Sequence, residues 1–161
     1  MLHRLLIMRH AKSSWDNPLL DDMQRPLNAR GLNDAPMMGR RIAALGYQWD
    51  HIIASPAKRA MTTAKLVADA IKYEHPLSLD ERLYFLGVDA IIDIISHIEE
   101  SVTSLMLFGH NPDMHLLYEQ LSKRECHKFS TAAYALFESD APWQEYTALR
   151  FINFDKPKSQ Q

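Results

Sequence analysis

Leu5-Leu6-Ile7-Met8 is an unbroken apolar run that stops abruptly at Arg9-His10-Ala11-Lys12. A strand with one wetted face alternates, whereas an unbroken run suits a parallel strand buried between two layers. Two later strands end in similar punctuation. His51-Ile52-Ile53-Ala54 stops at Ser55-Pro56, and Val102 to Phe108 stops at Gly109-His110-Asn111-Pro112. Stretches of helical period separate them, so strands and helices alternate along the chain. That alternation points to an α/β layered domain.

The spacing predicts a helix over about Asn28–Leu45, with Leu32, Ala35, Ile42 and Leu45 on one face and Gly46 as its stop. Pro36 is tolerable there only in the first turn, because it lacks the N–H that interior helical bonds need. A second helix over Ala57–Lys72 places Ala60, Ala64, Val67 and Ile71 on one stripe. A third, Asp89–Glu99, has Ile91, Ile94, Ile95 and Ile98 at helical spacing, which reads as core. Met114, Leu117, Tyr118 and Leu121 mark a fourth helix, and Ala133–Phe137 and Tyr146–Phe154 alternate as two further strands joined through Pro142. Residues 1–155 read as one domain, and the polar tail, 156–161, is expected to fray.

At 161 residues, 47% apolar and 24% charged, the chain has the composition of an ordinary globular domain. A net charge of −2 with no basic face argues against nucleic acid or an anionic membrane as partner. Cys126 is alone, which excludes an intramolecular disulfide framework. The chain opens on a strand rather than a signal peptide and has no stretch long enough to span a bilayer, so the expected location is cytoplasmic.

In a parallel sheet the three punctuated strand ends lie on one edge, where open α/β sheets bind their ligands. Arg9, His10, Arg59 and His110 would then converge from distant parts of the chain. Arginine supplies planar, permanently charged donors suited to phosphoryl oxygens. Their field lowers the pKa of a neighbouring histidine and leaves one ring nitrogen free to attack phosphorus. Such a site needs neither metal nor cofactor. The alternative for each residue taken alone is a solvated strand end.

Four segments together resemble the histidine phosphatase superfamily, which includes the phosphoglycerate mutases, and more closely its small SixA-type phosphohistidine phosphatases. They are Met8 to Asp16, Arg25-Pro26-Leu27 with Gly31, Ser55 to Ala60 with Thr63-Ala64, and Gly109-His110-Asn111-Pro112. The resemblance implies a three-layer α/β/α sandwich with a mostly parallel central sheet, phosphoglycerate mutase-like. It implies His10 as the nucleophile that takes the phosphoryl group, Arg9 and Arg59 as its binders, and His110 as a donor to the same oxygens. Ser13 and Arg25 are candidate substrate contacts. Glu81, in Leu79 to Tyr84, matches the family's acid-bearing stretch and is the candidate general acid.

Departures from the family pattern are informative. Ala11 stands where most of the superfamily has glycine, and a negative φ is expected there. Asp16 stands where mutase-like members carry asparagine, and reads better as a loop cap than as a phosphate contact. Trp15 reads as an aromatic closing a loop over the core rather than packing at the site's mouth, Lys12 as a solvated loop residue, and His115 as a helix-surface histidine. His3, His51, His75 and His97 read as element-end or surface residues, and His127 as a loop residue. No long insertion separates Arg59 from His110, so the site should be open. The implied substrate is a phosphohistidine on a phosphoprotein; a small phosphorylated molecule (sugar phosphate or nucleotide) and an inactive phosphate-binding module are the competing readings.

Overall fold

The computed structural model describes residues 1–126 and 128–160 of the chain. Its strands are β1 (His3–Arg9), β2 (His51–Ala54), β3 (Ser78–Leu79), β4 (Ser104–Gly109), β5 (Tyr134–Ser139) and β6 (Arg150–Asp155), and its helices are α1 (Ala29–Ala44), α2 (Lys58–Ala70), α3 (Val88–Ser96) and α4 (Asp113–Ser122). The six strands form one sheet in the order β3-β2-β4-β1-β5-β6. β3, β2, β4 and β1 pair in parallel, and β5 and β6 close one side antiparallel.

The unbroken run of β1 is buried on both faces, as its lack of alternation requires. Leu5 and Ile7 join Leu105, Leu107, Ile91, Ile95 and Leu117 beneath α3 and α4. Leu6 and Met8 join Met106, Phe108, Met38, Ile42 and Val67 beneath α1 and α2. Two cores therefore sandwich one sheet, the three-layer architecture expected from sequence. From β1 the chain crosses to β2 on one side, and from β4 it crosses to β5 on the other. The carboxyl ends of β1 and β4 thus flank the reversal of strand order, where open sheets form a crevice.

Several local expectations need correction. Pro36 lies well past the first turn of α1. Its missing N–H leaves the Leu32 carbonyl without a helical partner, and Leu32 itself is 53% exposed rather than on the core face. Gly31, Asp34, Ala35, Met38, Gly39 and Ile42 form that face instead. The predicted strand from Tyr146 begins only at Arg150, because Trp143–Ala148 wind into 3-10 turns that bury Trp143. His3 is buried, edge-on to Trp143 at 4.8 Å, with Nε2 3.2 Å from Glu100. The start of the polar tail is held, since Arg41 donates to the carbonyls of Lys156 at 2.9 Å and Pro157 at 3.1 Å. His127 lies outside the described residues.

Candidate active site

His10 follows the last residue of β1, His110 follows β4, and Ser55 follows β2. Arg9 pairs in register with Gly109, so the two histidines leave the sheet level with each other. Their rings stand 5.1 Å apart and inclined at 56°. Arg59 enters from the first turn of α2, and Arg25 from the loop before α1. The cleft they border has a volume of about 290 Å³, with Lys12, Ser13, Trp15, Asp22 and Phe85 also on its walls.

His10 is buried, and its Nδ1 lies 2.6 Å from the carbonyl oxygen of Ala11. A carbonyl only accepts, so Nδ1 carries the hydrogen and Nε2 of the neutral ring keeps its lone pair. Burial, then Arg59, Arg9 and Arg25, push the imidazole down to about 3, although the bond to Ala11 opposes them. The ring is therefore neutral, with one nitrogen free, throughout the physiological range. Ala11 itself is wholly buried, without positive φ, and its N–H donates to Thr63 Oγ1 at 3.0 Å. Thr63 donates onward to the Arg59 carbonyl at 2.7 Å, which ties the nucleophile's loop to the helix carrying Arg59.

His110 is almost wholly buried, with Nε2 2.8 Å from Ser55 Oγ. Its Nδ1 has no hydrogen-bond partner among the described residues. Burial first, then His10 and Arg59, bring it down to about 3 against the opposing pull of Asp22. The Phe85 ring lies 4.5 Å from it at 31°, and Tyr84 meets it edge-on at 5.4 Å. Phe85 holds φ at +58°, and the following turn is anchored where Gly87 N–H donates to Asp113 Oδ2 at 3.0 Å. A left-handed backbone is strained for an aromatic residue.

Arg9 donates to the Phe129 carbonyl at 3.2 Å, while its buried Nε has no partner among the described residues. Arg25 is buried rather than solvated. It donates to the Ser14 carbonyl at 3.1 Å, to Ser13 Oγ at 2.5 Å and to Asp22 Oδ1 at 3.0 Å. Its guanidinium covers one face of Trp15, 3.2 Å from the ring centroid. Trp15 is 74% exposed, so it stands at the mouth of the cleft and closes nothing over the core. Asp16 is exposed, and the loop is capped by Ser14 instead, whose Oγ accepts the Asp16 N–H at 3.1 Å. Lys12 is exposed at the rim.

Glu81 is not brought to the cleft. It is exposed at the head of a 3-10 turn whose geometry aims Tyr84 and Phe85 at the site instead. The residue sequence reasoning missed is Asp22. Arg59 gives one donor to its carbonyl oxygen at 2.6 Å and another to its Oδ2 at 2.8 Å, and Tyr84 donates to Oδ2 at 2.6 Å. Burial pushes this carboxyl up, but the bonds from Tyr84, Arg59 and Arg25 outweigh it and hold Asp22 well below the usual carboxylate range. Its spacing three residues before Arg25 is the one local signal of that pairing. Among the described residues, no group of three or more histidine, cysteine or acidic side chains is placed to hold a metal ion.

These features define an anion-seeking cleft with a neutral, half-free imidazole at its floor. The model of the histidine phosphatase superfamily (branch 1) matches residues 5–84. An uncharacterized protein of Mycobacterium tuberculosis is 30% identical over 149 residues, which is 86% of this chain and 90% of that one. A SixA structure from Agrobacterium tumefaciens superposes with a TM-score of 0.84 at 26% identity, covering 96% of this chain and 98% of the other. The protein histidine phosphatase SixA complexed with tungstate gives 0.84 at 22% identity, over 96% and 97% of the two chains. The chain belongs to the histidine phosphatase superfamily, and its type is that of SixA. That family membership supports a phosphatase, a hydrolase whose substrate carries a phosphoryl group. No described helix is long and apolar enough to cross a membrane.

Proposed function

We propose that this phosphatase removes the phosphoryl group from phosphohistidine on a protein, through a covalent phosphohistidine at His10. The observation that carries the reading is the bond from His10 Nδ1 to the Ala11 carbonyl, which leaves Nε2 as a lone-pair nucleophile beside Arg9 and Arg59. In the first step Nε2 attacks phosphorus and the P–N bond to the substrate imidazole breaks. Arg9 and Arg59 hold the phosphoryl oxygens, with Arg25 and Ser13 on the loop side. His110, its ring 5.1 Å from that of His10 on the wall of the same cleft, is the further donor to those oxygens. Water then attacks the phosphorus on His10, the P–Nε2 bond breaks, and orthophosphate leaves.

Two further features support this substrate. Asp22 is the one carboxylate among the described residues lining the cleft, and it is held ionised, so no side-chain acid there is ready to protonate an alkoxide. A protonated imidazole is already a good leaving group and needs less such help. Among the described residues no segment closes over the cleft, and Trp15 and Phe85, 74% and 45% exposed, border its mouth. An open, aromatic-edged mouth suits a phosphoryl group displayed on a macromolecule better than one that must be enclosed.

The test is a panel of phosphohistidine peptides, phospholysine, sugar phosphates and nucleotides. Phosphohistidine should give the highest kcat/KM, with an acid-labile phosphoenzyme that His10→Ala abolishes. Glu81→Gln should stay within about twofold of the parent, as expected for an exposed side chain outside the cleft. Full activity in His10→Ala would refute the nucleophile, and faster turnover of sugar phosphates or nucleotides would refute the substrate.

A further inference from the structure

Three arginines and a lysine face one cleft, and a site built only for affinity would place no carboxylate among them. Asp22 is nonetheless there, with hydrogen bonds from Arg59, Arg25 and Tyr84. Its side chain is 43% exposed while that of Arg59 is 3% exposed, so the carboxylate meets the guanidinium from the open side of the cleft. Arg59 has five N–H donors in a planar fork, and Asp22 occupies one on each terminal nitrogen. The remaining donors are held in a fixed plane.

We propose that Asp22 is a positioning residue and an electrostatic counterweight: it orients the Arg59 fork and weakens the cleft's hold on a phosphate dianion, so that the product can leave. The inference rests on the reading of this cleft as a phosphoryl site. Its physical basis is simple. Arg9, Arg25, Arg59 and Lys12 attract the dianion, and Asp22 repels it across the same partly exposed space. Orthophosphate is the product of every turnover, so a cleft without this carboxylate would be inhibited by its own product. Neutral His10 and His110 add no charge to that balance. Tyr84 is the useful contrast, since it donates to Asp22 and carries no charge of its own.

The experiment is calorimetric titration of the intact protein with orthophosphate, for the parent, Asp22→Asn, Asp22→Ser and Tyr84→Phe. Asp22→Asn keeps the shape and an acceptor for Arg59 while removing the charge. It should bind phosphate about tenfold more tightly, with a lower kcat wherever product release limits turnover. Asp22→Ser should shift affinity in the same direction, which covers the case of an asparagine variant that folds poorly. Tyr84→Phe should bind phosphate within about twofold of the parent, because it leaves the charge in place. Equal or weaker phosphate binding in both Asp22 variants would overturn the counterweight, as would a tightening in Tyr84→Phe as large as in Asp22→Asn. A parent protein that binds no phosphate would instead overturn the phosphoryl-site reading beneath it.

Discussion

Acidification should destabilise this protein through His10, by an amount that can be worked out. The buried imidazole titrates at about 3 in the folded chain against 6.5 for an ordinary histidine. Between those values the unfolded chain carries a proton that the folded chain lacks. Stability from this group is therefore fully present above the unfolded value and declines as pH falls through the window. At about pH 4.5, two units below the ordinary value, the loss is about 3 kcal/mol. That is a large part of the roughly 5–15 kcal/mol that holds a domain together. Asp22, Asp50 and Asp80 titrate below 3.8, so most of what they contribute is lost at lower pH. His110, also near 3, adds a loss of the same sign. The assay is urea unfolding at pH 7.5 and 4.5 for the parent and for His10→Asn, whose amide can still donate to the Ala11 carbonyl. The parent should lose about 3 kcal/mol more than the variant between the two pH values. Equal losses would refute the claim that the folded protein keeps His10 neutral.

The other consequences are local. A Cβ at Gly31 would lie 2.1 Å from the Lys12 carbonyl oxygen, which is backbone and cannot swing aside. Gly31→Ala should therefore cost about 1–3 kcal/mol, read as a drop in Tm, and should reduce turnover by displacing the loop that carries Ser13. Thr63→Val removes the acceptor for the Ala11 N–H and leaves that group buried and unpaired. Urea unfolding should register a loss of about 1–3 kcal/mol, with Thr63→Ser restoring both stability and rate because it keeps the hydroxyl.

The strand ends were legible because burial on both faces removes alternation, and β2 runs over the four residues expected, His51–Ala54. Arg9, His10 and His110 follow directly from those ends. Arg59 needed the motif after Ser55, since a helix stripe alone does not say which charged residue turns inward. Trp15 and Glu81 were misplaced for a common reason: loop direction depends on distant partners. Trp15 faces outward because Arg25 covers its inner face, and Glu81 is turned away while Tyr84 swings to Asp22. Asp22 itself pairs with Arg59 and Tyr84, 37 and 62 residues away, so only its spacing to Arg25 left a local trace. The edge strand β3, two residues long, is too short to carry any pattern.

The separation of the two cleft imidazoles has an unusual origin. Each ring stands on the first residue beyond one of two adjacent parallel strands, and their 5.1 Å spacing is close to the ~4.8 Å pitch of a β-sheet. The ladder thus sets how far apart the two side chains start, and the contacts of His10 with Ala11 and of His110 with Ser55 set how the rings turn. Changing core volume moves helical layers toward or away from the sheet and leaves the spacing of the two strands alone. Inserting one residue into β1 or β4 is different in kind, because it sends the histidine to the opposite face. Variation in this cleft is therefore confined to the loops around a fixed pair, and the pair itself can be transplanted only as two neighbouring strands that end level.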